Sequence, residues 1–321
     1  MSQTEYGETD NDTLVIAEMV RKGLLARGYT ATLYPISEDK IEDIASIKAE
    51  CIFNLIEWCG RDIQLAERAF VMMRKLQIPV TGSSERLYVL TGDKTQVKLE
   101  LQKIGVPTPN SQVFVTGRET FLDDFKYPVI VKPSLEHCST GLTREAIADN
   151  AGELQKIVNR QILTFRQPAL VEEFIVGREL LVYLIEENGK VRVLPIEEMI
   201  FAGKDKYQFQ TYDTKWNVNS VDYNSTDVQV AKLDKTDELA VKTICQDTFK
   251  QLGLYGYARF DLRLRSGIPY ILETNANPSV YDASEELVNI EDEVIWGIKF
   301  PDYLQLIVKS AFDHFLHGEM I

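Results

Sequence analysis

Cysteine is scarce in this chain, four residues in 321, at positions 51, 59, 138 and 245, and none has the CxxC spacing of a zinc ribbon or a redox pair. No disulfide is expected. Histidine is scarcer still, with three residues, of which His314 and His317 fall in the last turn of the C-terminal helix, a place where imidazoles cap or solvate a helix end. The glycine-rich loop closed by Gly-Lys-Ser/Thr that cradles phosphate in P-loop proteins is missing, which excludes that class. No apolar run approaches the roughly 20 residues a membrane-spanning helix needs, and the polar start "MSQTEYGETDND" does not read as a secretory signal. The expected location is therefore the cytoplasm, with no membrane partner. Positive charge is also in deficit. Lys and Arg number 35 against 49 Asp and Glu, a formal net charge of −14. Counterion release from nucleic acid needs a clustered basic surface, so no nucleic-acid partner is expected. A small anionic ligand needs only a few positive groups gathered in one cleft.

Apolar residues, by contrast, suffice for two or three compact α/β units. A helix capped by Asn11 or Asp12 repeats Ile16, Met19, Val20 and Leu24 at helical spacing, and Gly28 suits its stop. "TATLYP", "CIFNLIE" and "IPVTG" read as short strands, alternating with a helix at "RDIQLAERAFVMMRKLQ" in the manner of a parallel sheet. Asp93 opens a further helix, and "YPVIVKP", a helix over 150–161 and "PALVEEF" make a smaller unit. From "GRELLVYLIEENGKVRVLP" onward the strands are longer and hairpin-linked, with Asn188-Gly189 as a turn signal. A polar loop (201–226), a helix over 235–252, a second hairpin and a last helix after Pro301 complete the chain. The predicted division is 1–92, 93–175 and 176–321: an N-terminal parallel-sheet α/β domain, a small central α+β unit and a C-terminal antiparallel-sheet domain.

The second hairpin, "ARFDLRLRSGIPYILETNANPS", carries unusual chemistry on one face. With its turn centred on Gly267, Asp261 faces Glu273 and Arg259 faces Asn275. Alternation along each strand places these four together and puts Phe260, Leu262, Leu264, Tyr270 and Leu272 on the other face. Opposed carboxylates repel unless a cation lies between them, and an oxygen-only donor set selects a hard ion, magnesium over zinc. A solvated mixed-charge face would carry the same residues. Three further pieces are unspecific alone. Lys132 ends an apolar strand, where it either counters a phosphate or is merely solvated. Asp93-Lys94 starts a helix. "LVEEFIVGREL" offers extended backbone to a purine edge, with Glu179 downstream as a ribose acceptor, or is a plain linker strand.

In order and spacing these pieces resemble the ATP-grasp fold, most closely the D-alanine–D-alanine ligase family, from about Cys51 to Leu287: "FNLIEWCGRD", "IPVTGSS", "GDK", "YPVIVKP", "CSTGL", "LVEEFIVGREL", "YDTKW", "RFDLRL" and "LETNANPS". The resemblance implies an ATP-dependent carboxylate–amine ligase working through an acyl phosphate. Lys94 and Lys132 would then contact phosphates, Glu172, Glu173, Phe174 and Ile175 form the adenine hinge, and Glu179 hold the ribose. Asp261, Glu273 and Asn275 would bind two magnesium ions, with manganese as a substitute, and Arg259 would steady the oxyanion of acyl transfer. Ser139 would place the first amino acid, while Lys215 and Ser284 match positions for the second substrate's carboxylate. The resemblance leaves a homodimer open.

The departures concern the substrate. The family's first strand and glycine-rich turn have no match in "MSQTEYGETDND". Glu57 stands for a histidine, His137-Cys138 for Gly-Ser, Trp216 for a tyrosine and Ser279 for a glycine. D-alanine–D-alanine ligation is the leading version; Trp216 and Glu57 favour a second one, a ligase of the same type for another amino acid, a peptide or a hydroxy acid. A noncatalytic nucleotide-binding module is the remaining alternative, against which the full set of Arg259, Asp261, Glu273 and Asn275 weighs.

Overall fold

The computed structural model describes residues 9–122, 125–280, 294–295 and 297–317. Ser284, expected at the second substrate's carboxylate, lies outside the described residues. The first helix, α1 (Thr9–Ala26), starts ahead of the expected Asn11 or Asp12 cap. Its stripe of Ile16, Met19, Val20 and Leu24 packs against Phe300, Tyr303, Leu304 and Ile307 of the last helix, so the two ends of the chain share a core.

Of the three strands expected before residue 83, the structure keeps one parallel bridge. Ile52 N donates to Pro79 O and Thr81 N to Ile52 O, both at 2.9 Å, pairing Ile52 with Val80. Segment 30–35 is in no ladder among the described residues. Apolar alternation alone does not make a strand, because the ladder needs a neighbour in register. Phe53 and Leu55 are instead held by side-chain packing against the α1 core. Helix α2 (Ile63–Lys75) buries Ala66, Ala69, Phe70 and Met73, the last three against Ile41 and Ile44. The short helix α3 (Glu85–Gly92) follows, capped by Ser84. Asp93 then caps α4 (Lys94–Lys103), its carboxylate accepting from Thr95 N at 2.8 Å. That cap fixes where Lys94, the first residue of the helix, stands.

Next come β1 (Ser111–Phe114), β2 (Val129–Pro133), β3 (Ile147–Ala148), α5 (Ala151–Phe165) and β4 (Ala169–Glu173), forming a four-stranded antiparallel sheet in the order β1-β4-β2-β3. Leu154, Ile157 and Val158 of α5 cover it at Val129, Val131 and Val171. Asn150 caps α5 as its sequence suggests, its side chain accepting from Glu153 N at 3.1 Å, and the helix runs one turn beyond the expected end.

The larger sheet contains β5 (Arg178–Glu187), β6 (Lys190–Val193), β7 (Glu197–Phe201), β8 (Thr226–Val230), β9 (Tyr257–Arg265) and β10 (Ile268–Asn275) in the order β10-β9-β5-β7-β8, with β6 paired to β5. Two short helices, α6 (Tyr212–Trp216) and α7 (Val221–Asn224), stand within the expected polar loop. Helix α8 (Lys235–Leu252) packs Val241, Cys245 and Phe249 against Leu180, Val182, Phe260 and Leu262. The pair β11 (Val294–Ile295) and β12 (Ile298–Lys299) precedes α9 (Phe300–Leu316), the last helix.

The β9–β10 hairpin reaches its expected pairs by an unexpected route. Its turn is Ser266-Gly267, with φ of +52° and +78°, the double left-handed pattern of a two-residue turn. Near the turn Ile268 pairs with Arg265 and Ile271 with Leu262, one residue away from a register centred on Gly267. A bulge between Ile271 and Glu273 then inserts Leu272, and beyond it Glu273 faces Asp261 and Asn275 faces Arg259. The bulge corrects the face assignment. Ile271 is the fully buried core residue, whereas Tyr270 and Leu272 stay outside that core.

Candidate active site

A cavity of about 2290 Å³ opens between the two sheets and continues into the N-terminal part of the chain, where residues 28–38 and Val308 also line it. A single small-molecule pocket measures roughly 300–1,000 Å³, so there is room for a nucleotide and further ligands. Lys94, Lys132, Ser139, Glu172, Glu173, Phe174, Ile175, Glu179, Lys215, Arg259, Asp261, Glu273 and Asn275 all line it. Of the described candidates only Trp216 stands off this lining.

On the hairpin face, repulsion between the opposed carboxylates is relieved by cationic neighbours. Arg259 grips Asp261 with both arms, Nε to Oδ1 at 2.7 Å and a terminal nitrogen to Oδ2 at 3.0 Å. Glu273 Oε1 lies 3.6 Å from Lys94 Nζ and 3.1 Å from His137 Nδ1. Burial pushes the Glu273 carboxyl up, but Lys94 and then His137 outweigh it and hold it well below the usual carboxylate range. Magnesium fits this donor set. Two carboxylates and an amide oxygen are hard ligands, and the register sets Glu273 opposite Asp261 with Asn275 two residues on. No group of three or more His, Cys, Asp or Glu side chains converges among the described residues. The protein thus offers a partial shell, the form magnesium takes when phosphates and water complete it.

A buried ion triad lies opposite. Lys132 on β2 and Glu172 on β4 project from paired strands, and Glu172 Oε2 is 2.6 Å from Lys132 Nζ while Oε1 is 2.6 Å from Lys98 Nζ of α4. Burial raises the Glu172 carboxyl, yet Lys132 and Lys98 together draw it down to about 2. The Lys98 ammonium carries the opposite burden, pushed down by its complete burial against the pull of Glu172. Lys98 also donates to Ile271 O at 3.2 Å, tying α4 to the hairpin bulge. Glu172, expected to serve as hinge backbone, is therefore also the charge partner that holds Lys132 in the cleft.

At the hinge, Glu173 N donates to Asn110 O and Phe174 N to Pro128 O, each at 2.9 Å. Those two amides are committed, and Ile175 is the next along the extended chain. Glu179 is paired with Arg263, which also donates to the carbonyls of Gln208 at 2.6 Å, Ile175 at 3.2 Å and Gly177 at 3.3 Å. Arg263 also sits 4.7 Å above the Phe174 ring. The loop before α6 is packed down on the hinge, with Phe209 buried edge-on to Phe174 at 5.8 Å.

At the far end, Cys138 and Ser139 take successive left-handed conformations, φ +55° and +59°, turning the chain sharply after His137. Trp216 Nε1 donates to Cys138 O at 2.9 Å, and Lys215 Nζ lies 5.1 Å over the Trp216 ring. Glu57 accepts from Thr13 Oγ1 at 3.2 Å at the same end of the cleft. Asn277, in "NANPS", accepts from Ser83 N at 2.7 Å and so binds the hairpin's end to the N-terminal unit.

The sequence gives three residues of the site no role, His137 standing out only as a departure from the family's glycine. Lys98 lies four positions after Lys94 and its partner is 74 residues on; Arg263 reads as one of several alternating hairpin charges; His137 follows a helix-free stretch. For Lys98 the one available cue was a lysine on the inward stripe of α4, beside Val97 and Leu101.

Comparison with known proteins agrees with this geometry. The family model described as "D-ala D-ala ligase C-terminus" matches residues 101–309. The "uncharacterized protein y4sG" of Sinorhizobium fredii is 32% identical over 84% of this chain and 78% of its own. A D-alanine–D-alanine ligase of a Marinomonas species is 29% identical over 92% of this chain and 89% of its own. The crystal structure of the D-alanine–D-alanine ligase from Bacillus anthracis complexed with ATP superposes with a TM-score of 0.70 at 20% identity, covering 94% of each chain. With a cleft of this layout and a family match over most of its length, the chain belongs to the D-alanine–D-alanine ligase family and is an ATP-dependent ligase of carbon–nitrogen bonds on the ATP-grasp fold.

Proposed function

We propose that the enzyme joins two small amino-acid-like substrates, phosphorylating the carboxylate of the first and passing it to the amine of the second, and that its pair is not limited to D-alanine. The observation that carries this reading is the hairpin face of Arg259, Asp261, Glu273 and Asn275, which lines one cavity together with Lys94 and Lys132. In this proposal the chain divides at 1–92, 93–175 and 176–321, and ATP lies between the two sheets. Phe174 and Ile175 meet the adenine edge from the hinge that Glu172 and Glu173 enter, and Glu179 meets the ribose. Lys94 and Lys132 neutralise phosphate oxygens, a role both suit because each is buried on a carboxylate it can share with an incoming anion. Magnesium, held by Asp261, Glu273 and Asn275, would supply charge neutralisation at the transferring phosphoryl group. Arg259 presents a guanidinium beside the acyl carbon, where the oxyanion of amide formation develops. Ser139 places the first substrate, and Lys215 receives the carboxylate of the second. Ser284 stays a candidate for that carboxylate.

Trp216, Cys138 and Glu57 are the basis for a pair other than two D-alanines. Trp216 stands off the lining itself, and its bond to Cys138 O fixes the turn that carries Ser139 at that end of the cleft. Glu57 adds a negative charge there. The test is ADP release with ATP and magnesium over D- and L-amino acids, D- and L-hydroxy acids and dipeptides, with mass detection of products. Release that depends on a pair of these substrates, with a condensed product of matching mass, supports the reading. ADP release unaffected by every substrate, or none at all, would return the protein to a nucleotide-binding role.

A further inference from the structure

His137 stands where the family resemblance places a glycine, and the reading above gives it no task. Its ring lies between two halves of the site. Nδ1 is 3.1 Å from Glu273 Oε1, and Nε2 is 3.3 Å from the carbonyl of Gly92 at the end of α3. The side chain lines the cleft and is partly exposed to it. Backbone fixes the ring's place, since Thr140 N donates to His137 O at 3.0 Å and Leu142 N to Ser139 O at 2.9 Å around the left-handed pair Cys138-Ser139. Trp216 pins the same turn from outside through Cys138 O.

We propose that His137 is a phosphate-contacting residue of this enzyme: its Nδ1–H, which meets Glu273 here, serves a terminal-phosphate oxygen once Glu273 takes magnesium. The proposal rests on the nucleotide reading of the cleft. Glu273 Oε1 is shared by two donors, Lys94 and His137. A divalent ion on that oxygen would take over its lone pairs; Lys94 keeps the carbonyl of Glu136 as an acceptor, whereas His137 Nδ1 is left needing a new one. Magnesium brings one. Magnesium held by Glu273 would bring phosphate oxygens to this end of the cleft, where His137 Nδ1 stands. Lys94 would exchange carboxylate for phosphate in the same way, and His137 adds a second, directional donor from the loop side. What the contact asks of the ring is a proton on Nδ1.

The experiment is equilibrium binding of the non-hydrolysable analogue AMP-PNP and of ADP, each with magnesium, to the wild type, His137→Ala and His137→Gln. The wild type is expected to prefer AMP-PNP. His137→Ala should cut that preference by about ten-fold, as loss of one hydrogen bond to a charged acceptor does, with ADP affinity little changed. His137→Gln, which keeps an N–H donor, should recover part of the preference. In turnover, kcat should fall in His137→Ala while KM for the amino substrate stays put. An unchanged AMP-PNP to ADP ratio in both variants, or an equal loss for both nucleotides, would make His137 a structural residue and leave the nucleotide site standing. A wild type that binds neither nucleotide would overturn the site and this proposal together.

Discussion

Asp261 and Glu273 face one another at a cost that only charge can offset, and the structure shows both carboxylates already engaged by Arg259, Lys94 and His137. Asp261→Asn and Glu273→Gln keep the shape and remove the charge. Each variant should fold and bind adenosine, yet lose at least about 100-fold in kcat, since metal stabilisation of phosphoryl transfer is worth several kcal/mol. Near-native turnover in either would remove the metal assignment. Glu172 gives a residue-scale prediction about stability. Its folded value of about 2 lies below the ordinary 4.5, so the stabilisation it contributes is present above about pH 4.5 and is lost as pH falls toward 2. The gap in melting temperature between the wild type and Glu172→Gln should therefore be wide at pH 7 and narrow steadily below pH 4.5. A gap that widens in acid would show that Glu172 is not held ionised by its lysines. The hairpin acids were legible in the sequence because alternation along two joined strands is a local rule. Lys98 and His137 were not, because what makes them matter is a partner 74 and 136 positions away, brought near only by the fold.

At the scale of elements, the hairpin shows how a correct pairing can arise from a wrong register. The tight Ser266-Gly267 turn shifts the strands by one, and Leu272 shifts them back. A bulge leaves little trace in composition, so Ile271 and Leu272 could not be told apart as core and cleft residues beforehand. The N-terminal strands differ for another reason: "CIFNLIE" and "IPVTG" meet only in the parallel bridge Ile52–Val80, and segment 30–35 has no ladder partner among the described residues. Helix α6 makes its own prediction. Lys215→Ala should raise the second substrate's KM or abolish ligation with ATP affinity little changed, because a carboxylate desolvated without its partner costs a few kcal/mol. Trp216→Phe, which removes the bond to Cys138 O while keeping an aromatic ring, should loosen substrate preference. The measurement is kcat/KM over one amino-acid panel beside direct ATP binding. An ATP defect equal to the substrate defect would place α6 outside the acceptor site. Gly82 tests the clasp between units: a Cβ there would fall 2.2 Å from Asn277 Oδ1, and φ is +86°. Gly82→Ala should lower the melting temperature, by more than about 1 kcal/mol in stability.

Across the whole molecule, a chain of net charge −14 gathers its useful positive groups, Lys94, Lys132, Lys215 and Arg259, around one cleft. That arrangement favours an anionic ligand locally while the outer surface repels polyanions. The order of motifs made the ATP-grasp architecture readable, whereas the substrate end depends on Glu57, Cys138 and Trp216, whose meaning lies in their mutual placement. The central claim is that this cleft activates a carboxylate by phosphorylating it. Hydroxylamine supplied with ATP, magnesium and the first substrate, but no amine acceptor, tests it most directly, because an activated acyl group is captured as a hydroxamate of defined mass. The account predicts hydroxamate formed in step with ADP and absent in Glu273→Gln. ADP released by the wild type in the presence of a substrate it demonstrably ligates, with no hydroxamate at any hydroxylamine concentration, would contradict it.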